Sequence, residues 1–303
     1  MVYDLVIIGG GPAGLSAAIY AARFKMDFLV LAREPGGTVV NTHLIENWPG
    51  EKSLSGAALM EKLQSHAESL GAKITQAEVS KVSKKGRHFL VSTDTGDFES
   101  KSLIFATGTR HRKLGAPGEE EFHGRGVSYC AVCDCAFFRD KVVAVVGGSD
   151  SAAKEALLLT EYAKTVYIIY RKDKIRAEPI NAERVATNKK IDVITNTNVV
   201  KIKGAKFVTG VELDVPYKGS KELPLDGIFI DIGYDAESSI AAALGAKLDK
   251  RGEIIVGCDC GTSVPGVYAA GDVTSESFKQ AITAAAQGAI AANAAYRFVG
   301  GKV

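Results

Sequence analysis

Cys130-Ala-Val-Cys133-Asp134 holds the residues of this chain best suited to redox chemistry. Two thiols at this spacing can cycle between disulfide and dithiol, and a neighbouring carboxyl can act as acid or base for a departing thiolate. The five residues lie between two glycine-rich stretches, Gly9-Gly-Gly-Pro-Ala-Gly14 and Gly147-Gly-Ser-Asp-Ser-Ala152. In a strand–turn–helix setting, Gly9, Gly11 and Gly14 have the spacing of a dinucleotide site. The first glycine permits the tight turn, the second lets backbone approach a pyrophosphate, and the third lets the helix pack on the strand. A dithiol between two such sites points to an electron relay, from nicotinamide to flavin to disulfide to a partner.

Two plainer readings compete for the cysteines. Structural zinc takes four ligands, commonly from two spaced pairs. The remaining cysteines, Cys135, Cys258 and Cys260, do not form a second such pair, and His123 stands without a His cluster. Inert core cysteines would sit oddly beside Asp134. Cys135, Cys258 and Cys260 themselves read as small apolar fillers.

The elements around these residues follow from periodicity. Asp4–Ile8 is a short Val/Ile-rich run and reads as a buried parallel strand, Leu15–Phe24 as a helix and Phe28–Leu31 as the next strand. The pattern recurs with Lys141–Val146 as strand, Ala153–Tyr162 as helix and Thr165–Tyr170 as strand. Gly86–Leu103 alternates around Thr95-Gly96, as a β meander does. Leu103–Gly108 and Gly266–Asp272 are further strand-then-glycine segments, the second followed by a helix beginning near Lys279. The expected fold is α/β, with two Rossmann-like, doubly wound, three-layer domains, the second inserted into the first. The first comprises 1–112 and 239–303; the second is 113–238 and carries the cysteine pair.

Composition agrees. The chain has 303 residues, enough for two ordinary domains, with 46% hydrophobic and 24% charged residues. A net charge of +2 gives no argument for nucleic acid or a membrane surface. Met1 is followed by Val-Tyr-Asp, with no basic then apolar leader. The apolar stretch Ala281–Ala295 is interrupted by Gln287, Gly288 and Asn293, and is too short to span a bilayer. The expectation is a cytoplasmic protein.

Each glycine turn departs from the simple pattern. The acidic residue expected about 20 residues after the first turn is absent from the end of the second strand, where Ala32 and Arg33 stand; Glu34 is close but shifted. In the second turn the middle glycine is Ser149, whose Cβ would crowd phosphates. The following strand leads into Arg171, Lys172 and Arg176, a basic cluster suited to the 2′-phosphate of NADPH. A solvated charged helix start is the alternative.

With these residues in view, the chain resembles the low-molecular-weight thioredoxin reductases from end to end. The likeness is carried by Gly9–Gly14, Gly36-Gly37, Glu46-Asn-Trp-Pro-Gly50, Ala106-Thr-Gly108, Gly124-Arg-Gly-Val127, Cys130–Asp134, Tyr170–Ala177, Ala270-Gly-Asp272 and Gln280-Ala-Ile282. It implies catalysis by Cys130, Cys133 and Asp134, with Cys133 as the sulfur that meets the flavin. It implies FAD in the first domain, held by Gly9, Gly11, Pro12, Ala13, Gly14, Gly36, Gly37 and Asn47. Ala106, Thr107, Gly108, Gly271, Asp272, Lys279, Gln280 and Ala281 complete that set, Asp272 near the ribityl chain. NADPH would lie in the inserted domain on Gly147, Gly148, Ser149, Asp150, Ser151, Arg171, Lys172 and Arg176. The partner would be thioredoxin or a thioredoxin-like protein, and the assembly a homodimer in which one domain rotates against the other. No metal is implied. Three positions depart from the family pattern: Tyr170 replaces a common His, Lys172 the second Arg, and Ser149 a turn glycine. All concern the electron donor, so donation by a reduced deazaflavin or ferredoxin stays open, as does a ferredoxin–NADP oxidoreductase. A redox-sensing flavin-binding protein without turnover is the reading from outside enzymology.

Overall fold

The computed structural model describes residues 1–301. The chain opens with β1 (Val2–Ile8), α1 (Pro12–Arg23), β2 (Phe28–Ala32), α2 (Gly56–Ser69) and β3 (Ile74–Gln76). A meander follows, β4 (Val79–Lys85), β5 (His88–Thr93) and β6 (Gly96–Phe105), and then the short β7 (Thr109–His111). The middle of the chain forms β8 (Val127–Ser128), α3 (Ala131–Asp134), β9 (Val142–Val146), α4 (Asp150–Leu159), β10 (Thr165–Ile169), α5 (Pro179–Thr187) and β11 (Ile191–Ile194). After it come β12 (Val199–Gly204), β13 (Val208–Tyr217), β14 (Ser220–Pro224) and β15 (Gly227–Ile230). The chain finishes with β16 (Tyr234–Ala236), α6 (Ser239–Ala243), β17 (Val267–Ala269) and α7 (Ala281–Val299).

These elements divide into two compact units. Met1–Arg110 and the chain from Asp235 onward form one, and His111–Tyr234 the other.

In the first unit β3, β2, β1 and β6 lie side by side, all parallel. The long β6 pairs antiparallel with β5 through Gly96–Ser100 and parallel with β17 through Leu103–Phe105. The C-terminal segment thus completes the sheet begun by the N-terminus. Both faces are buried, which explains the unbroken apolar run of β1. Leu5 and Ile7 enter one core cluster, Val6 and Ile8 the opposite one. On the first face α1 and α7 pack through alanines: Ala13, Ala17, Ala18 and Ala21 against Ala284, Ala291, Ala292 and Ala295. Small side chains let the helices approach closely. A Cβ on Gly288 would sit 2.0 Å from the Ala13 carbonyl oxygen, so the glycine that breaks the apolar pattern in sequence is required by packing. Helix α7 starts at a reciprocal cap, in which Gln280 N–H donates to Thr283 Oγ1 at 3.1 Å.

The second unit contains a five-stranded parallel sheet in the order β11-β10-β9-β15-β8. Val143 and Val145 face the helix side, while Ala144 and Val146 face the antiparallel sheet β12-β13-β14. That three-stranded layer was not expected from sequence. Its strands carry Lys, Glu and Asp on the exposed face, so only half of each strand has an apolar signal.

Candidate functional site

The cysteine pair sits where β8 ends. Cys130 and Cys133 are bonded to each other. Cys130 caps the one-turn helix α3, its Sγ accepting from Cys133 N–H at 3.2 Å. Ser128 Oγ accepts from Cys130 N–H at 3.0 Å and braces the turn from the strand side. Cys133 is exposed, while Cys130 and Asp134 are half-buried. The preceding Tyr129 donates its hydroxyl to Glu119 Oε1 at 2.6 Å. Burial, and then the Glu119 carboxylate, hold that phenol well above its ordinary pKa. Glu119 is itself fixed by Leu114 N–H at 2.8 Å and Gly115 N–H at 2.5 Å, so the residue leading into the dithiol is anchored on a buried carboxylate.

Of the other cysteines, Cys135 and Cys260 are buried, as fillers should be. Burial raises both thiols, Cys260 to about 11. Cys258 corrects the expectation: it is exposed. The Gly257–Gly261 turn can direct only one of its cysteines inward. Cys260, with φ of 62°, takes that place, and Asp259 Oδ1 accepts from Gly261 N–H at 3.0 Å.

The first glycine turn shows three different demands. Gly9 has φ of 121°, and a Cβ there would lie 2.1 Å from the Ala106 carbonyl oxygen. A Cβ on Gly14 would lie 1.9 Å from the Gly9 carbonyl oxygen. Gly11 is different: its φ is −79°, and a Cβ would meet nothing within 4 Å. Gly11 heads α1 without a side-chain cap, which leaves the first helical N–H groups facing open space. This space is a cavity of about 400 Å³, within the range of cofactor sites. Gly9, Gly11, Pro12, Ala13, Gly37, Ala106, Thr107, Gly108, Gly271, Asp272 and Ala281 all line it. An open cradle at Gly11 over uncapped donors fits the pyrophosphate of an extended dinucleotide.

Other expected residues stand apart from the lining. Gly14 packs beneath the turn, and Gly36 ties its loop to it by donating N–H to the Gly10 carbonyl at 3.0 Å. Asn47 Nδ2 donates to Gln280 Oε1 at 3.0 Å. The Lys279 ammonium bonds the Asp272 and Thr274 carbonyls at 2.9 and 2.7 Å and pairs with Glu253 at 3.1 Å. Burial raises the Asp272 carboxyl, while Lys279 pulls it down. Arg33 and Glu34 line the cavity, with Glu78, Ser80, Glu237 and Ser239. Glu34 therefore reaches the region that its shifted position in sequence left in doubt. Ser80 and Ser239 carry no local signal, since only folding brings β4 and α6 to the turn.

The second glycine turn is more closed. A Cβ on Gly147 would lie 2.1 Å from the Asp231 carbonyl oxygen, and one on Gly148 2.5 Å from the Tyr170 ring. Ser149 caps α4, its Oγ accepting from Ala152 N–H at 3.2 Å. The hydroxyl thus folds back onto the helix and satisfies a donor that a phosphate would otherwise use. Asp150 is partly buried, which pushes its pKa up, but Lys154, Asn181 and Glu178 N–H hold it below the ordinary range. Ser151, Arg171, Lys172 and Arg176 are exposed. Arg176 N–H donates to the Gly148 carbonyl at 2.6 Å, which brings its segment against the turn. None of the three cations makes an ion pair among the described residues.

Sequence reasoning missed two buried carboxyl groups of the second unit, Glu155 on α4, whose Oε1 lies 3.5 Å from Ala131 N–H, and Asp231 after β15. Burial, then the Asp231 charge, raises Glu155 to about 8. Burial raises Asp231 to about 6, the nearby Ser149 hydroxyl pulling the other way. Folding therefore retains protons that the unfolded chain releases above about pH 4, and stability falls as pH rises from there to about 8. At about 1.4 kcal/mol per unit, the loss is on the order of a few kcal/mol. Urea unfolding at pH 5 and pH 9 checks it: a Glu155→Gln/Asp231→Asn double variant should gain on the parent at pH 9. Parallel pH trends in the two proteins would refute the assignment.

Among the described residues no helix is long and apolar enough to cross a membrane. Residues 3–288 match the model of the family described as pyridine nucleotide-disulphide oxidoreductase. The chain is 42% identical over 301 residues to a thioredoxin reductase of Listeria innocua, covering 98% of this chain and 94% of that protein. It is 43% identical to the crystal structure of Lactococcus lactis thioredoxin reductase, with a TM-score of 0.95 and 99% of each chain covered. A ferredoxin-flavin thioredoxin reductase of Clostridium acetobutylicum is more distant, at 31% identity and a TM-score of 0.55, with 99% of this chain and 98% of that chain covered. A bonded Cys-x-x-Cys beside the Gly147 turn, the Gly9–Gly14 turn over an open cavity, and these full-length likenesses agree: the chain belongs to the pyridine nucleotide-disulphide oxidoreductases and, among them, to the low-molecular-weight thioredoxin reductases.

Proposed function

We propose that this chain reduces the disulfide of thioredoxin or a similar small dithiol protein, drawing electrons from NADPH through FAD and the Cys130–Cys133 pair. The observation that carries this is the bonded pair itself, on a one-turn helix whose Val132 and Cys133 are exposed. FAD would occupy the cavity of the first unit, its pyrophosphate at Gly11 and the α1 N-terminus. When bound, the flavin takes a hydride from the nicotinamide and passes two electrons to the disulfide. Cleavage of the Cys130–Cys133 bond, with two protons, leaves two thiols. Attack of one thiolate on the partner disulfide gives a mixed disulfide. The second cysteine then resolves it, restoring the Cys130–Cys133 bond and releasing the partner as a dithiol. Cys133 would be the sulfur that accepts electrons from the flavin, and Asp134, the next residue, would exchange protons with the thiols. The purified protein should be yellow, release about one FAD per chain on denaturation, and couple NADPH oxidation to thioredoxin reduction. A protein that binds no flavin when reconstituted would end this reading. By the same likeness the assembly is a homodimer; light scattering at one chain mass would exclude it.

NADPH should be preferred to NADH. Arg171, Lys172 and Arg176 are exposed, and Arg176 is tied to the turn through Gly148. Charge-assisted contacts to a 2′-phosphate are strong enough for a preference on the order of 100-fold. Arg171→Ala/Arg176→Ala should raise KM for NADPH and barely change that for NADH. Equal use of the two by the parent would reduce the cluster to a solvated surface. Flavin reduction by ferredoxin or a deazaflavin, and by neither nucleotide, would transfer the donor role.

A further inference from the structure

The apolar pattern of α7 is broken at Gln287 and Gly288, and helix packing accounts only for the glycine. Gln287 is half-buried and reaches the turn that follows β17. Its Oε1 accepts from Gly271 N–H at 2.7 Å, and Thr274 Oγ1 lies 3.4 Å from the same oxygen. Gly271 and Thr274 are both buried. A buried backbone donor left without an acceptor is costly, so the Gln287 carboxamide stabilises the turn in this one arrangement.

The other polar groups of the turn are held within the first unit as well. The Gly271 carbonyl accepts from Thr274 N–H at 2.9 Å and from Thr274 Oγ1 at 2.8 Å. Ile254 N–H donates to the Val273 carbonyl at 2.9 Å, and the Lys279 ammonium takes the Asp272 and Thr274 carbonyls. Gly271 has φ of 81°, and a Cβ there would lie 3.1 Å from the Ala13 Cβ. The turn therefore abuts the first turn of α1. Gly271, Asp272 and Ala13 line the same cavity, as does Ala284, one helical turn before Gln287. Gln287 itself stands behind that wall, outside the lining.

Two adjacent residues of α7 thus fix both sides of the cavity wall. Gly288 seats the helix on Ala13, and Gln287 ties the Gly271 turn to the helix. The placement of the Asp272 carboxyl relative to the uncapped N–H groups of α1 is set through this pair. We propose that Gln287 is a positioning residue for the flavin: its carboxamide holds the Gly271–Asp272 turn against the start of α1, and so sets where Asp272 meets the hydroxyl-bearing chain of a bound FAD.

This role rests on the reading of the cavity as an FAD site, and one experiment separates the two failures. The full-length flavoprotein is compared with Gln287→Met, Gln287→Leu and Gln287→Glu. The first two lack the oxygen acceptor at similar bulk, and the third keeps it. Release of FAD after dilution is followed by the fluorescence of free flavin. Visible circular dichroism of the bound flavin is recorded at saturating FAD, where occupancy is equal, and urea midpoints identify the folded variants. Gln287→Met and Gln287→Leu should release FAD roughly tenfold faster than the parent, the effect of about 1.4 kcal/mol. Their flavin dichroism should differ from that of the parent at full occupancy. Gln287→Glu should return the dichroism to the parental form and the release rate to within about threefold. Either acceptor-free variant, once folded, decides the matter. A parent that binds no FAD would end the cavity reading itself. If the parent binds FAD, parental dichroism in a folded acceptor-free variant overturns the positioning role, whatever the release rate. So does a Glu variant that restores neither readout. Failure of both acceptor-free variants to fold would assign Gln287 to the core and overturn it too.

Discussion

Cys133→Ser is expected to abolish reduction of a protein disulfide while sparing NADPH-driven reduction of a small dye. Dye reduction needs only the nucleotide and the flavin. Protein reduction needs a bond between Cys130 and Cys133 that can break and re-form. A serine hydroxyl cannot form that bond, so the loss should be complete within detection. The α3 turn should survive, because its cap uses Cys130 Sγ and the backbone N–H of residue 133. Asp134→Asn should slow thiol exchange by roughly 10- to 1,000-fold, the range for a displaced acid–base group, with flavin content unchanged. Stopped-flow absorbance of the flavin, beside insulin or thioredoxin turnover, separates the two half-reactions. Thioredoxin reduction retained by Cys133→Ser would refute the relay.

Gly11→Val and Gly14→Ala should fail in opposite ways. At Gly11 the backbone is compatible with any residue, and a Cβ points into open cavity. Gly11→Val should therefore fold with stability within about 1 kcal/mol of the parent, yet lose flavin affinity by roughly 100-fold or more, about 2.7 kcal/mol. At Gly14 a Cβ would collide with the Gly9 carbonyl oxygen at 1.9 Å. Gly14→Ala must displace α1 from β1, at a cost of about 1–3 kcal/mol or more for overpacking. Flavin stoichiometry and urea midpoints of the two purified variants decide the matter. A fully flavin-loaded Gly11→Val protein would mean that no pyrophosphate lies at this turn.

The steric demands on Gly9 and Gly14, and the open Cβ position at Gly11, were legible in sequence because a strand, a turn and a helix follow one another within a few residues. Each glycine's requirement arises mainly from its immediate neighbours and the adjoining strand. The same holds for Gly147 and Gly148, and for Cys130–Asp134, where spacing alone specifies a disulfide-forming pair. Parallel strands buried on both faces announce themselves as apolar runs, so β1, β2, β9 and β10 could be read to within a few residues. The strands β12–β14 could not, since one face is solvated and charged, and their pairing is non-local.

Tertiary structure decided what depends on distant chain. Whether Ser149 obstructs or caps is settled by the rotation of one hydroxyl toward Ala152 N–H. Which cysteine of Cys258 and Cys260 turns inward depends on a single positive φ. Gly288 is a helix-weakening residue until α7 meets Ala13. Glu155 and Asp231 are ordinary acidic residues in sequence, one in a helix and one after a strand. Only the stacking of α4 on the sheet and the pairing of β15 with β9 remove both from water. Local propensity and spacing travel with the chain, but burial and charge environment belong to the fold, and these two buried acids exist only there.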